Sequence, residues 1–210
     1  MKNMFPPPKS GTDRRDFMRT LSVLGLMGLS AAFPELAARA ATVEPDSFLL
    51  QPNGWVPNNP QLPVLHYRQV MTPDEARSSA DRFERLVGEH GWPAQWRAGI
   101  YDYHHYHSTA HEVLFFVRGD VELVLGGPGG RHVSPLAGDV VVLPTGTGHM
   151  RVSASDDLLV VGAYPRGQQW DVCTTAPTAE MTQRMRSLPF PEIDPVTGTG
   201  GPLPRLWKRV

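Results

Sequence analysis

Between residues 98 and 165 the apolar positions fall in short runs rich in Val, Ile, Leu and Phe, each closed by Gly, Pro, Asp or Ser. This texture predicts strands at 99–107, 111–118, 120–125, 131–136, 139–144, 148–153 and 157–164, with the turn Gly126-Gly-Pro-Gly-Gly130 dividing two of them. So many short strands with brief connections predict an antiparallel barrel or sandwich. A further apolar run, Val64–Tyr67, reads as a short edge strand. The fold class expected is therefore all-β, with at least eight strands.

Helical spacing is confined to a few places. Thr72-Pro-Asp-Glu75 has the form of a capping box with Pro in the first turn, and Ala76, Ala80, Phe83, Leu86 and Val87 follow at helical intervals until Gly91. One helix is thus predicted over about 73–90, and a short one around 178–187. Residues 42–63 and 166–210 are Pro-rich and read as extended straps, the second with Trp207 docked near its end. The expected organisation is a leader at 1–40, an extension with one helix at 41–97, a barrel core at 98–165 and a C-terminal strap at 166–210.

Composition narrows the class of function. The 210 residues carry 20 basic and 21 acidic side chains, a formal net charge of −1. Such balance argues against nucleic acid or an anionic membrane as the main partner. A single cysteine, Cys173, excludes an internal disulfide, a Cys-rich zinc module and a CxxC pair. The 21 prolines and 20 glycines favour turns and short strands.

The first forty residues read as an address. Arg14-Arg15 and Phe17 precede a mildly apolar stretch, Leu21 to Phe33, and then Ala37-Ala-Arg-Ala-Ala41. This is the pattern of a bacterial twin-arginine signal peptide, too short in its apolar part to span a bilayer comfortably. The reading places a mildly acidic mature protein in the periplasm or outside the cell, with no stable membrane insertion after cleavage. Such cargo folds in the cytoplasm, where a metal can be inserted before export.

The chemistry concentrates in Tyr103-His-His-Tyr-His107-Ser-Thr-Ala-His111-Glu112, which holds four of the eight histidines. On a strand, alternate side chains share a face, so His105 and His107 project together, and a tight turn returns Glu112 beside them. His149, after the Pro144–Gly148 turn, supplies a fourth group from a neighbouring strand. Imidazoles with a carboxylate suit Fe, Mn, Ni, Cu or Zn. His104 and His111 have the opposite parity and read as exterior or ligand-orienting groups, although a bulge would let His111 replace Glu112. His66, His90 and His132 read as surface or packing residues. Tyr101 and Tyr103 share the face of His105, and Arg151 that of His149. These three are the pocket candidates, suited to a small anionic or hydroxylated ligand.

These residues resemble the cupins. Gly99-x5-His105-x-His107-x4-Glu112-x6-Gly119 is similar to the first cupin motif, and Gly138-x5-Pro144-x-Gly146-x2-His149 to the second, with Ser153 where Asn is usual. The resemblance implies a jelly-roll barrel with His105, His107, Glu112 and His149 holding one divalent transition metal, Mn or Fe favoured over Ni, Zn or Cu. The segments Gly99–Leu114 and Gly162-Ala-Tyr-Pro-Arg-Gly-Gln-Gln-Trp-Asp171 look more narrowly like the YjlB-like bacterial cupins, a group without an established reaction. Cupins often pair, so a homodimer is compatible with the resemblance. Two functions suit such a site: a metal-dependent enzyme of dioxygenase or isomerase type, or a non-catalytic module that binds a small molecule or metal.

Overall fold

The structure is a computed structural model and describes residues 43–208; the expected signal peptide lies outside the described residues. Among the described residues nine strands form two antiparallel sheets. They are β1 (Asp46–Phe48), β2 (Val64–Tyr67), β3 (Ala94–Ala98), β4 (Glu112–Arg118), β5 (Val121–Leu125), β6 (Arg131–Val133), β7 (Val140–Leu143), β8 (His149–Ala154) and β9 (Leu159–Ala163). The larger sheet has the order β1-β2-β7-β4-β9-β3 and the smaller β6-β5-β8. This is the antiparallel jelly-roll barrel that the resemblance implies.

Period-two alternation divides the side chains of the larger sheet between two cores. Leu114 and Phe116 of β4, Val141 and Leu143 of β7 and Val160 of β9 turn inward to meet Val121, Leu123 and Leu125 of the smaller sheet. Their neighbours Val113, Phe115, Val140, Val142 and Val161 turn outward, under Phe83, Val87, Leu203 and Trp207. Both faces are covered, so β4 and β7 read as continuous apolar runs rather than alternating ones. Parity decides more than packing here. Glu112 shares the inward set with Leu114, which puts a carboxylate inside the barrel.

Among the described residues four helices flank the sheets: α1 (Pro73–Arg77), α2 (Ala80–Glu89), α3 (Ala179–Ser187) and α4 (Pro202–Leu206). The helix expected at 73–90 is two. Thr72 and Glu75 form the capping box that starts α1, and the chain breaks at Ser78 and Ser79 before α2 resumes. The break lets Ala76 and Phe83 both reach the buried side, the latter stacking on Phe115 with ring centroids 4.1 Å apart. Among the described residues no helix is long and apolar enough to cross a membrane.

One strand assignment changes. The strand expected at 99–107 lies earlier, at β3, where Trp96 pairs with Gly162 of β9. The His-rich segment itself joins the barrel through isolated bridges, His105 to His149 and Tyr106 to Cys173. Neighbouring chain supplies its hydrogen bonds in place of a ladder, including Gly146 N–H to the His107 carbonyl at 2.8 Å. The larger sheet also draws β1, β2 and β3 from the segment before residue 98, so a barrel core confined to 98–165 is too narrow.

The C-terminal strap is pinned by one buried carboxylate. Asp194 accepts the amides of Val196 (2.8 Å) and Leu203 (2.9 Å) and the hydroxyl of Tyr67. Trp207 is buried, and its indole donates to the Pro63 carbonyl at 2.8 Å.

Candidate metal centre

His105 and His107 come from the bridged segment, Glu112 from the first residue of β4 and His149 from the first residue of β8. The local register brings these ends together: Glu112 pairs with Leu143 at the end of β7, and His149 pairs with Leu125 at the end of β5. One nitrogen from each of His105, His107 and His149 lies within 4.8 Å of the others. Glu112 Oε2 faces His107 Nε2 at 3.4 Å and His149 Nε2 at 3.2 Å. All four side chains are buried, none more than 5% exposed.

Backbone carbonyls choose the tautomers. His105 Nδ1–H donates to the Tyr103 carbonyl and His149 Nδ1–H to the Thr147 carbonyl, each at 3.1 Å, and His107 Nδ1–H donates to the Asp171 carbonyl. Each ring therefore turns its Nε2 toward the centre, the arrangement that outer-sphere acceptors impose on metal-binding imidazoles. Glu112 Oε1 accepts the Tyr164 hydroxyl at 2.5 Å, while no hydrogen bond reaches the buried Oε2.

The electrostatics follow from this enclosure. Burial, aided by the neighbouring His149 and His107, lowers the His105 pKa to about 2, so that ring is neutral. Burial also opposes charge on His107, but the Glu112 carboxylate outweighs it and raises the imidazole pKa. For Glu112, burial opposes ionisation, yet His107 and His149 hold the carboxyl well below its ordinary range. A proton on His107 answers only part of this demand, because His105, His149 and Oε2 still converge as electron-pair donors. One divalent cation satisfies all four. The residues present fit such an ion.

The remaining histidines are separate from this cluster. His111 Nδ1 accepts the Thr145 amide at 3.0 Å, and its ring lies 4.9 Å from that of Trp207, supporting the turn that leads to His149. His104 is half-buried, its Nδ1 without a hydrogen-bond partner. His66, expected as a surface or packing residue, is buried against Asp139 at 2.8 Å. His90 meets the Pro195 carbonyl, and the exposed His132 meets Glu122.

Of the pocket candidates, Tyr101 and Tyr103 stack on each other at 4.9 Å and lie 5.0 and 5.7 Å from the His105 ring. Tyr103 is 41% exposed, so this pair joins the site to solvent. Arg151 Nε donates to the Ile100 carbonyl at 3.0 Å and its guanidinium lies 3.8 Å from Asp102, which ties it to the rim.

Residues absent from the sequence expectation complete the wall. Trp170 stacks on Tyr164 at 6.1 Å and meets the His107 ring edgewise at 5.9 Å. Asp171 accepts the amide of Ser108 at 2.6 Å and also its hydroxyl, fastening the C-terminal strap beside His107. The signal for Tyr164 was its parity with Gly162, and it needed the β4–β9 register to be read: Val113 pairs with Ala163, so one further step sets Glu112 against Tyr164.

No family model matches the sequence. The chain is similar to a curated Bacillus subtilis (strain 168) protein described as "Uncharacterized protein YjlB". The two are 35% identical over 166 residues, spanning 78% of this chain and 97% of that protein. Among solved structures, acireductone dioxygenase from Bacillus anthracis, with a cadmium ion in its active center, aligns at 17% identity and a TM-score of 0.32. That alignment covers 49% of this chain and 77% of the other. A likeness that distant adds nothing to the geometry of the site.

Proposed function

The chain belongs to the YjlB family, and from that premise we propose that it is an exported cupin holding one divalent transition metal on His105, His107, Glu112 and His149, where it acts on a small molecule. One observation carries the reading: three imidazoles locked by Nδ1–H bonds to backbone carbonyls turn Nε2 toward a carboxylate oxygen that has no hydrogen bond. Mn or Fe is favoured, because folding before export lets metal supply decide where affinity alone favours copper. The metal would supply Lewis-acid or redox chemistry. Tyr101 and Tyr103 offer phenols to a hydroxylated ligand, and Arg151, with only its Nε taken by the Ile100 carbonyl, keeps guanidinium donors for an anionic one. A small anionic or hydroxylated molecule suits this lining. Export is supported by Arg14-Arg15 and the Ala-rich segment that follows the apolar stretch.

A non-catalytic binding module is the second reading, favoured by the deep burial of all four side chains. Chelator-stripped protein titrated with Mn(II), Fe(II) and Zn(II) tests the site. The wild type is expected to hold one equivalent and His149→Ala close to none; a full equivalent in His149→Ala defeats the four-ligand assignment. Oxygen uptake by the iron- or manganese-loaded protein, with a panel of small phenols and hydroxy acids, separates the two readings. Full zinc occupancy without turnover of any panel member favours the binding module.

A further inference from the structure

Beyond the four proposed ligands, one buried phenol has its proton direction set by its surroundings. Tyr164 is 1% exposed, and its oxygen lies 2.7 Å from Trp96 Nε1 and 2.5 Å from Glu112 Oε1. An indole N–H only donates. The Tyr164 oxygen must therefore accept from Trp96, and its one proton goes to Glu112. The relay has a single polarity, from Trp96 through Tyr164 to the carboxylate.

The barrel wall is shaped for this relay. Trp96 and Gly162 are paired across β3 and β9, and a Cβ on Gly162 would sit 1.9 Å from the indole. Any side chain larger than hydrogen would push the indole off the strand. With glycine there, the ring lies flat over the backbone, and its N–H reaches the phenol two residues further along. Trp170 stacks on the Tyr164 ring and restricts it further.

We propose that Tyr164 is the positioning residue of the centre: held by Trp96, it occupies Glu112 Oε1 and so makes Glu112 a ligand through Oε2 alone. The inference rests on the metal-binding reading and goes beyond it by assigning how the carboxylate binds. A carboxylate restricted to one oxygen takes one coordination position instead of two. The position it spares is kept for a hydroxyl or oxygen atom of the small molecule.

The test compares chelator-stripped wild type, Tyr164→Phe and the double variant Trp96→Phe/Tyr164→Phe, each loaded with Mn(II) or Zn(II). The double variant removes the orphaned indole donor as well, so it serves if the single change impairs folding. Metal affinity is measured by titration, and the carboxylate stretching bands by infrared difference spectroscopy on protein labelled with 13C-glutamate. Both variants are expected to retain one equivalent, with affinity changed by roughly ten-fold, the usual effect of losing an outer-sphere partner. The two carboxylate bands should also draw closer together, as they do when both oxygens bind one ion. A loss of packing alone would not move those bands. Wild type that takes up neither metal overturns the metal reading and this inference with it. Wild type that binds, beside variants with unchanged affinity and unchanged bands, overturns the positioning role alone.

Discussion

His66 and Asp139 form a buried pair that owes nothing to the metal cluster. Asp139 ends the turn that leads into β7 and accepts the amides of Gln69 (2.8 Å) and Leu136 (3.1 Å) as well as contacting His66. Burial opposes its ionisation, but those bonds prevail and lower its pKa below the ordinary value. A carboxylate whose folded pKa is depressed stabilises the protein above its unfolded pKa and loses that contribution as pH falls through the folded one. Unfolding free energy should therefore fall on acidification below about pH 4. Asp139→Ala should cost roughly 3 kcal/mol at neutral pH, because it strands a buried imidazole and two amides, and it should flatten the acid limb. Urea titrations between about pH 3 and 7 check both; identical acid limbs in the two proteins would remove Asp139 from the account. Metal stoichiometry should not change.

At the scale of elements, the C-terminal strap acts as part of the site. Gln168 reaches the amide of His111, Asp171 holds Ser108, and the backbone of Cys173 bridges Tyr106, so the strap clasps the His-rich segment along its length. Arg184 of α3 adds a bond to the Ser108 hydroxyl at 2.7 Å. The His-rich segment lacks a regular ladder on this side, and the strap supplies the missing partners. It also supplies the carbonyl that orients His107. Asp171→Ala removes the carboxylate that holds Ser108 and keeps the backbone carbonyl that meets His107. Metal binding is expected to weaken ten-fold or more while far-UV circular dichroism stays that of a β-barrel. Wild-type affinity in this variant would show that the strap holds its carbonyl against His107 without the Asp171 carboxylate.

For the whole molecule, the consequential question is where it works. Arg14 and Arg15 are guanidinium donors with a planar geometry that lysine cannot reproduce at equal charge. Replacing both by lysine is expected to leave full-length precursor in the cytoplasm, while the unaltered chain yields a periplasmic form shorter by about forty residues. Fractionation and mass spectrometry of the two forms decide the matter. A shortened periplasmic protein from the lysine variant would exclude the twin-arginine route. A metal-loaded barrel suits that route, since the buried ligands are assembled only in the folded state.

Much of this architecture was readable from the chain before its fold. Strand texture, turn glycines and the spacing of His105, His107, Glu112 and His149 are local properties, governed by a period of two and by which residues tolerate a turn. They carried the all-β class and the four clustered side chains, while the inward set of β4, hidden in a continuous apolar run, needed the second sheet to define it. Other features depended on what met what. The Tyr164 hydroxyl finds a carboxylate 52 residues away, and the His107 ring finds a carbonyl 64 residues away. Parity sets Arg151 on the face of His149 and leaves it open between pocket and rim; its Nε bond goes to the Ile100 carbonyl, 51 residues away. The break between α1 and α2, and the shift of a strand from 99–107 to 94–98, were likewise set by the buried surfaces those segments cover. Periodicity specifies which face a side chain takes; its partner is chosen by the register and packing of distant segments, and those exist only once the sheets have closed.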